Sequence, residues 1–475
     1  MEEFDLIVIG SGAGLNLASK AVQNGFRVAL VEQGLLGGTC LNNGCIPSKM
    51  LIYPADVIRI FQDAKSVGVK GRVESIDFQQ IMERMRSLVD KIRTEMKASI
   101  ESNSNIKWYK NRGEFIGDKI IESGNNTLTA PKIVIASGAR AIIPLVPGLR
   151  ESGYLDNISL LGLQKPPKSL IIIGAGYIGC EYGHFFSAMG TEVTILGRKP
   201  QLLSKEDSEV RQIMTRALSR YMKVLTSHEV VRVEKKDGLK LVSARSLVDD
   251  KLYHFEAEEI LVAAGRRSNS DLLKPEITGV ETDKKGWIMV NEFLETTKPG
   301  IWALGDAIGK HMFRHAANYE AEVVYHNAFL AEKKENRHKV DFHAVPHAVF
   351  SHPSAAQVGI TEEEGEALGL KILVGRSKYI DAVKGIAMAA EDGLAKVVVE
   401  DQTGRILGCH VVGPFASELV QQVVFLMNAD NENLVPLMRS QVIHPTISEV
   451  LINAFNNLEH PYHYHQDEPS NNYNI

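Results

Sequence analysis

Two stretches of the chain repeat one hydrophobic rhythm. In the first, the apolar run Leu6-Ile7-Val8-Ile9 gives way to Gly10-Ser11-Gly12-Ala13-Gly14-Leu15, then a helical stretch, then Val28-Ala29-Leu30-Val31-Glu32. In the second, Leu170-Ile171-Ile172-Ile173 leads into Gly174-Ala175-Gly176-Tyr177-Ile178-Gly179, a helix, and Val193-Thr194-Ile195-Leu196-Gly197-Arg198. Unbroken apolar runs of this length predict strands buried on both faces, and therefore parallel strands. Glycines between a strand and a helix allow a tight turn and a close backbone approach, so that a pyrophosphate can rest on the helix N-terminus. One such turn is weak evidence. Two in one chain, each in the right context, predict two nucleotide sites. The first copy departs from the pattern at Leu15, which holds the third glycine position, and Gly14 and Ala18 are expected to supply the small surfaces there.

Between the copies, Phe78, Ile81, Met85, Leu88, Ile92, Met96 and Ile100 recur at steps of three and four, which predicts an amphipathic helix with a packing face. A strand-like run at 132–138 closes the first unit, and the Pro-containing stretch 163–168 reads as a linker. After Gly265-Arg266 the chain is expected to return toward the first domain. From about residue 341 the pattern changes to strands and two helices of a separate α+β unit. The last residues, from His460 on, are polar and read as mobile; His460, His463 and His465 are expected to bind metal only incidentally, and no metal site is assigned.

Composition narrows the function classes. Hydrophobic residues make up 44% and charged residues 23%, ordinary values for a globular chain. The net charge of -5, with scattered basic residues, gives no reason to expect nucleic acid or an anionic membrane as partner. No apolar stretch is long enough to span a bilayer, and the N-terminus enters a strand without the features of a signal peptide. Four cysteines in 475 residues exclude a disulfide scaffold, and a reducing cytoplasm is the expected location.

Two of those cysteines carry the candidate chemistry. Cys40 and Cys45 lie in Gly38-Thr39-Cys40-Leu41-Asn42-Asn43-Gly44-Cys45-Ile46-Pro47-Ser48-Lys49. The spacing is too wide for half of a common zinc site, and no second pair follows. A short loop can close a reducible disulfide used for electron transfer, and Pro47 predicts a helix N-terminus that would stabilise a thiolate. Spacing alone leaves this open against two unrelated buried thiols. Cys180 and Cys409, in apolar runs, read as core.

Taken together, these motifs resemble the FAD-dependent pyridine nucleotide–disulfide oxidoreductases of the glutathione reductase and lipoamide dehydrogenase type, from residue 4 to about residue 458. The resemblance rests on both glycine turns, the Cys40–Cys45 run, Ala136-Ser137-Gly138, Ala264-Gly265-Arg266, Trp302-Ala303-Leu304-Gly305-Asp306-Ala307 and His444-Pro445-Thr446-Ile447-Ser448-Glu449. It implies an α/β fold with two doubly wound Rossmann-like nucleotide-binding domains and a C-terminal α+β dimerisation domain. The implied boundaries are 1–150 for FAD, 151–270 for NAD(P), 271–340 for a central domain continuous with the FAD domain, 341–458 for dimerisation and 459–475 for the tail.

The resemblance also implies roles. FAD would be held by Gly10, Gly12, Gly14, Gly138 and Gly265, with Glu32 on the adenosine ribose and Asp306 on the ribityl chain. Gly174, Gly176 and Gly179 would serve the nicotinamide dinucleotide. Lys49 and Glu181 resemble the family's ion pair beside the flavin. Tyr177 is either a ring over the flavin that moves aside for nicotinamide or a packing aromatic. Cys45 would face the flavin and Cys40 the substrate. His444, oriented by Glu449, would exchange protons with a thiol of the partner subunit's pair, which requires a homodimer.

Aligning the two internal copies places Gly197 where the first has Glu32, with Arg198 next and Lys199 after it. An acidic residue there would bind the 2′-hydroxyl of NAD, whereas Arg198 suits a 2′-phosphate, so NADP(H) is favoured over NAD(H). This pulls against the rest. The Cys45–Lys49 and His444–Glu449 motifs look like lipoamide dehydrogenase, which ranks first, with a small dithiol or a lipoyl domain as substrate. Residues 313–320 and 181–187 look closer to mycothione reductase-like relatives, so an NADPH-dependent reductase of a low-molecular-weight disulfide follows closely. Mercuric reductases and high-molecular-weight thioredoxin reductases are set aside, because each carries a C-terminal cysteine pair not seen in this sequence. A flavin-binding dimeric scaffold would require a lost catalytic residue, and none is missing.

Overall fold

The computed structural model describes residues 1–461, so the expectations for His463, His465 and the tail fall outside the described residues. The chain divides into two compact units: Met1–Leu51, Asp77–Pro166 and Glu259–Phe342 form one, and Ile52–Ile76, Pro167–Glu258 and His343–Ile475 the other.

The first unit is built on a five-stranded parallel sheet in the order Ile301–Ala303, Lys132–Ile135, Leu6–Ile9, Val28–Val31, Ile106–Tyr109. Every residue of Leu6–Ile9 and Val28–Val31 is buried, as unbroken apolar runs require. The first glycine turn follows the central strand, at the carboxyl edge where doubly wound sheets bind ligands. Gly14 takes over the close-packing task of the missing third glycine. A Cβ on it would come within 2.8 Å of both Ala136 Cβ and Val8 Cγ1. Ala18, one turn on in the helix Gly14–Gln23, is fully buried. A four-stranded sheet (Glu2–Glu3, Asn126–Thr129, Ile120–Ser123, Gly113–Gly117) completes the unit with the antiparallel pair Ala139–Ala141 and Arg266–Ser268.

The amphipathic helix spans Phe78–Glu101, with Asp77 capping it through a 2.8 Å bond from Gln80 N. Its buried face differs from the predicted stripe: Phe78, Met85 and Ile100 are inside as expected, but Met82 and Val89 replace Ile81, Leu88, Ile92 and Met96, which are half-buried. The apolar arc is wider than one ridge, and packing selects its centre rather than its edge.

In the second unit, Ser169–Ile173, Glu192–Leu196 and Lys223–Leu225 pair in parallel, repeating the first turn's context. A three-stranded antiparallel sheet, His228–Lys236, Leu239–Ser246 and Leu252–Ala257, follows. The C-terminal part is a six-stranded antiparallel sheet in the order His347–Val349, Ala355–Gly359, Ile406–Val412, Leu394–Glu400, Ile372–Lys378, Leu458–Glu459. The helices Ala416–Met427 and Glu449–Asn456 cover it with Leu419, Val423, Val450, Leu451 and Phe455. This is the α+β unit the sequence predicts. Its Lys396 is wholly buried, 2.8 Å from Asp207 and 3.0 Å from Glu209 at the start of the helix Ser208–Leu218, and 2.6 Å from Glu362, with Arg376 bonded to the last two carboxylates. Among the described residues no helix is long and apolar enough to cross a membrane.

Candidate active site

Cys40 and Cys45 do not sit in a loop. Gly38–Asn42 is a short helix carrying Cys40, and a second helix, Cys45–Asp63, starts at Cys45, two residues before the predicted Pro47. Asn43-Gly44 makes the break. Gly44 is required there because a Cβ would meet Thr39 O at 2.9 Å. Asn42 staples the segment, its amide donating to Leu36 O and Gly38 O at 2.8 and 2.9 Å. Helical winding brings the two sulfurs together as hydrogen-bonded thiols, Cys40 half-buried and Cys45 exposed. That bond, then burial, then the charge of Cys45 push the Cys40 thiol far up; Arg314 and Lys49 pull it down. Two thiols so placed cannot both ionise readily, so the reduced pair shares one thiolate. The other two cysteines are core residues, both fully buried, and burial pushes the Cys409 thiol up to about 12.

The first turn is walled by glycine. Gly10 has φ +104°, and a Cβ there would meet Ala136 O at 2.2 Å, so no other residue fits. At Gly12 a Cβ would meet nothing within 4 Å, which leaves the turn open where a pyrophosphate would rest. Glu32 directly follows the strand Val28–Val31, and its carboxylate is already engaged. Oε2 accepts from Ser11 N and Oγ at 2.9 and 2.8 Å, and Oε1 from Gly34 N at 2.8 Å. Gly138 has φ +69° and Gly265 φ +121°, each directly before a strand of the antiparallel pair Ala139–Ala141 and Arg266–Ser268.

Asp306 lies 3.3 Å from Arg266 Nε; burial pushes its carboxyl up and Arg266 counters this. Glu320, fully buried, accepts from Gly305 N at 2.5 Å, and burial pushes its carboxyl up to about 7. Ser137 Oγ and Glu320 Oε1 are buried here without a hydrogen-bond partner. Polar atoms orphaned around an open glycine groove are what a bound polar cofactor would satisfy, and the residues fit FAD.

In the second turn Gly174 has φ +126°, and a Cβ on Gly179 would lie 2.1 Å from Gly174 O, while Gly176 is open. At Gly197 a Cβ would fall 2.5 Å from Ala175 Cβ, so any larger residue would force the turn to shift. Arg198 is largely exposed and its Nε lies 3.2 Å from Glu229 Oε1. Glu181 is buried and accepts from Phe350 N at 3.2 Å. Lys49 belongs to the first unit, with Nζ 3.3 Å from Ser48 Oγ, and Glu181 to the second. Tyr177 Oη lies 3.3 Å from His347 Nε2.

His444 Nδ1 is 2.7 Å from Glu449 Oε1, and Oε2 of the same carboxylate accepts from Thr446 N at 2.9 Å. The bonds from His444 and Thr446 hold the Glu449 carboxyl below the usual carboxylate range, so it stays ionised through neutral pH. With Nδ1–H donating to Glu449, Nε2 is left as the basic nitrogen on a ring that is 67% exposed. Sequence reasoning named this pair. It missed Arg314, Arg266, Glu320 and Glu206, because each acts on a residue far away in the chain. Among the described residues no group of three potential ligands is placed to hold a metal.

Comparison with known proteins gives this geometry its family. Residues 4–321 match the model for pyridine nucleotide-disulphide oxidoreductases, and residues 345–455 match that family's dimerisation domain. Mycothione reductase of Mycobacterium tuberculosis is 34% identical over 96% of this chain and 99% of its own length. Dihydrolipoyl dehydrogenase of Chlamydia pneumoniae is 33% identical over 98% of this chain and 99% of its own. Among solved structures, the Cu(II) complex of the HOCl-induced flavoprotein disulfide reductase RclA from Escherichia coli superposes with a TM-score of 0.84. It is 28% identical and covers 96% of this chain and 99% of that one. The chain belongs to the pyridine nucleotide-disulphide oxidoreductases, FAD-dependent enzymes linking NAD(P)(H) to a disulfide, with a dimerisation domain at its C-terminal end.

Proposed function

We propose that this protein is an NADPH-dependent reductase of a low-molecular-weight disulfide. The observation that carries the reading is the end of the second nucleotide strand. Gly197, tightly packed on Ala175, stands where an acidic residue would select NAD, and exposed Arg198 follows it. Glu229 engages the guanidinium through Nε, which leaves its outer edge to face a 2′-phosphate. The motifs that favour lipoamide dehydrogenase serve the electron path between flavin and thiols. That path is common to both activities, so these motifs discriminate less than the nucleotide site. A dihydrolipoyl dehydrogenase-type activity is the second reading, supported by a 33% identical relative of that name.

FAD, when bound, supplies hydride chemistry and passes two electrons to the thiol pair. The residues do the rest. Cys40, its proton taken by Nε2 of His444 of the partner subunit, attacks one sulfur of the substrate disulfide and forms a mixed disulfide, and the departing thiolate takes that proton back from the imidazole. Cys45 then attacks Cys40 Sγ, releasing the second thiol and closing the Cys40–Cys45 disulfide. Two electrons originating at NADPH would return it to the dithiol. Replacing His444 with Ala is expected to slow reoxidation of the reduced enzyme by disulfide about 10²–10⁴-fold. Flavin reduction by NADPH should stay near the parental rate, and rapid-mixing absorbance resolves the two half-reactions.

One comparison decides the substrate class: NADPH- and NADH-driven reduction of a panel of small-thiol disulfides, against dihydrolipoamide oxidation with NAD and NADP. Faster reduction of a small disulfide with NADPH is expected. Dihydrolipoamide turnover with NAD exceeding every reductase rate would overturn the first reading in favour of the second.

A further inference from the structure

A hydrogen-bonded cluster sits at the end of the second glycine turn, and no step above uses it. Tyr177 is the first residue of the helix Tyr177–Ala188, and its hydroxyl lies 3.3 Å from His347 Nε2. His347, on the strand His347–Val349, puts the same nitrogen 2.9 Å from Glu206 Oε1. The two rings lie 5.4 Å apart, tilted by 48°. Glu206 is 1% exposed. Its position is set from the turn itself: Leu203 N donates to Ala175 O at 2.8 Å, and Glu206 N donates to Leu203 O at 2.8 Å. Three separate stretches therefore converge on the tyrosine hydroxyl.

A carboxylate so deeply buried is costly unless charge-assisted bonds satisfy it, and those bonds are stronger than neutral ones. Burial, then the Glu206 charge and a hydrogen bond to it, push the Tyr177 phenol up, so it stays a neutral donor whose proton goes to the Glu206 carboxylate, the same group that His347 Nε2–H serves. A packing aromatic at a glycine turn would need neither partner. Phenylalanine would serve.

We infer that Glu206 and His347 are positioning residues that latch Tyr177 in place over the nicotinamide pocket, so that an entering nicotinamide dinucleotide must break the latch. The inference rests on Tyr177 being the ring that moves aside for nicotinamide. If only the unlatched fraction is competent to bind, the apparent dissociation constant is the intrinsic one divided by that fraction. Weakening the latch should therefore tighten nucleotide binding, whereas ordinary structural damage loosens it.

The test is equilibrium titration of the FAD-loaded protein with NADP+ and with NAD+, read by calorimetry. Tyr177→Phe is expected to lower the dissociation constant of the preferred nucleotide about tenfold, and His347→Ala to lower it at least about threefold. The double variant should bind little more tightly than Tyr177→Phe alone, because both act on one latch. His347→Asn, which keeps a donor toward Glu206, should return most of the way to the parental value. If Tyr177→Phe and His347→Ala leave binding unchanged or weaker while Tyr177→Ala tightens it, the latch is wrong and the moving ring survives. If Tyr177→Ala also leaves binding unchanged, the moving-ring reading itself has failed.

Discussion

Cys45→Ser should abolish thiol–disulfide turnover, by more than about 10³-fold, while hydride transfer from the nicotinamide to flavin or to an artificial dye continues. The expectation comes from the geometry of the pair. Cys45 begins its helix in an exposed position, so serine fits without disturbing the core. The substituted hydroxyl can still hydrogen-bond Cys40, but it cannot form or reopen a disulfide. A second consequence follows. The Cys45 charge is one of the causes that push the Cys40 thiol up, so removing it should let Cys40 ionise more readily. In the variant Cys40 should therefore be alkylated by iodoacetamide at lower pH than in the reduced parent. Retained disulfide turnover in Cys45→Ser would separate this pair from the electron path altogether.

The second large effect is expected far from any thiol. Lys396→Met keeps the aliphatic stem but removes the ammonium from a site with no exposure. What remains is Asp207, Glu209 and Glu362 facing one another, with Arg376 bonded to the last two and His410 beside Asp207. In the parent, burial would raise the Asp207 carboxyl; neighbouring His410, the Lys396 ammonium bonded to it and the Glu209 N–H outweigh that and hold it low. Breaking a buried ion pair by removing one partner costs about 3–5 kcal/mol, because the surviving charge stays buried. The apparent melting temperature should fall by several degrees, and adding Asp207→Asn to Lys396→Met should recover part of the loss. A melting point within about 1 °C of the parent's would show that the cluster is solvated in solution.

How much of this was legible depended on how local its cause was. The sheet strands could be read because burial on both faces leaves an unbroken apolar run, as in Leu6–Ile9 and Ser169–Ile173. The glycine turns could be read because backbone geometry demands glycine at a fixed offset. The helix Phe78–Glu101 could be found, but not the centre of its buried face, because several faces of that helix are partly apolar. The segment around Cys40 read as a loop because it is too short for periodicity to register, yet it folds as a helical turn. The Glu206–His347–Tyr177 cluster was not visible: its members are up to 170 residues apart, and only the fold aligns them. Arg198 carried a nucleotide signal in sequence, while its partner Glu229 lies in a strand beyond the next helix and gave none.

Gly38, the residue that opens the Cys40 helix, has φ +61°, and a Cβ on it would lie 2.8 Å from Gly12 Cα. The phosphate turn and the start of the thiol segment are thus in backbone contact, with no side chain between them to absorb a change. A substitution that moves either stretch is therefore expected to move the other, so the thiol pair and the turn behave as one mechanical part.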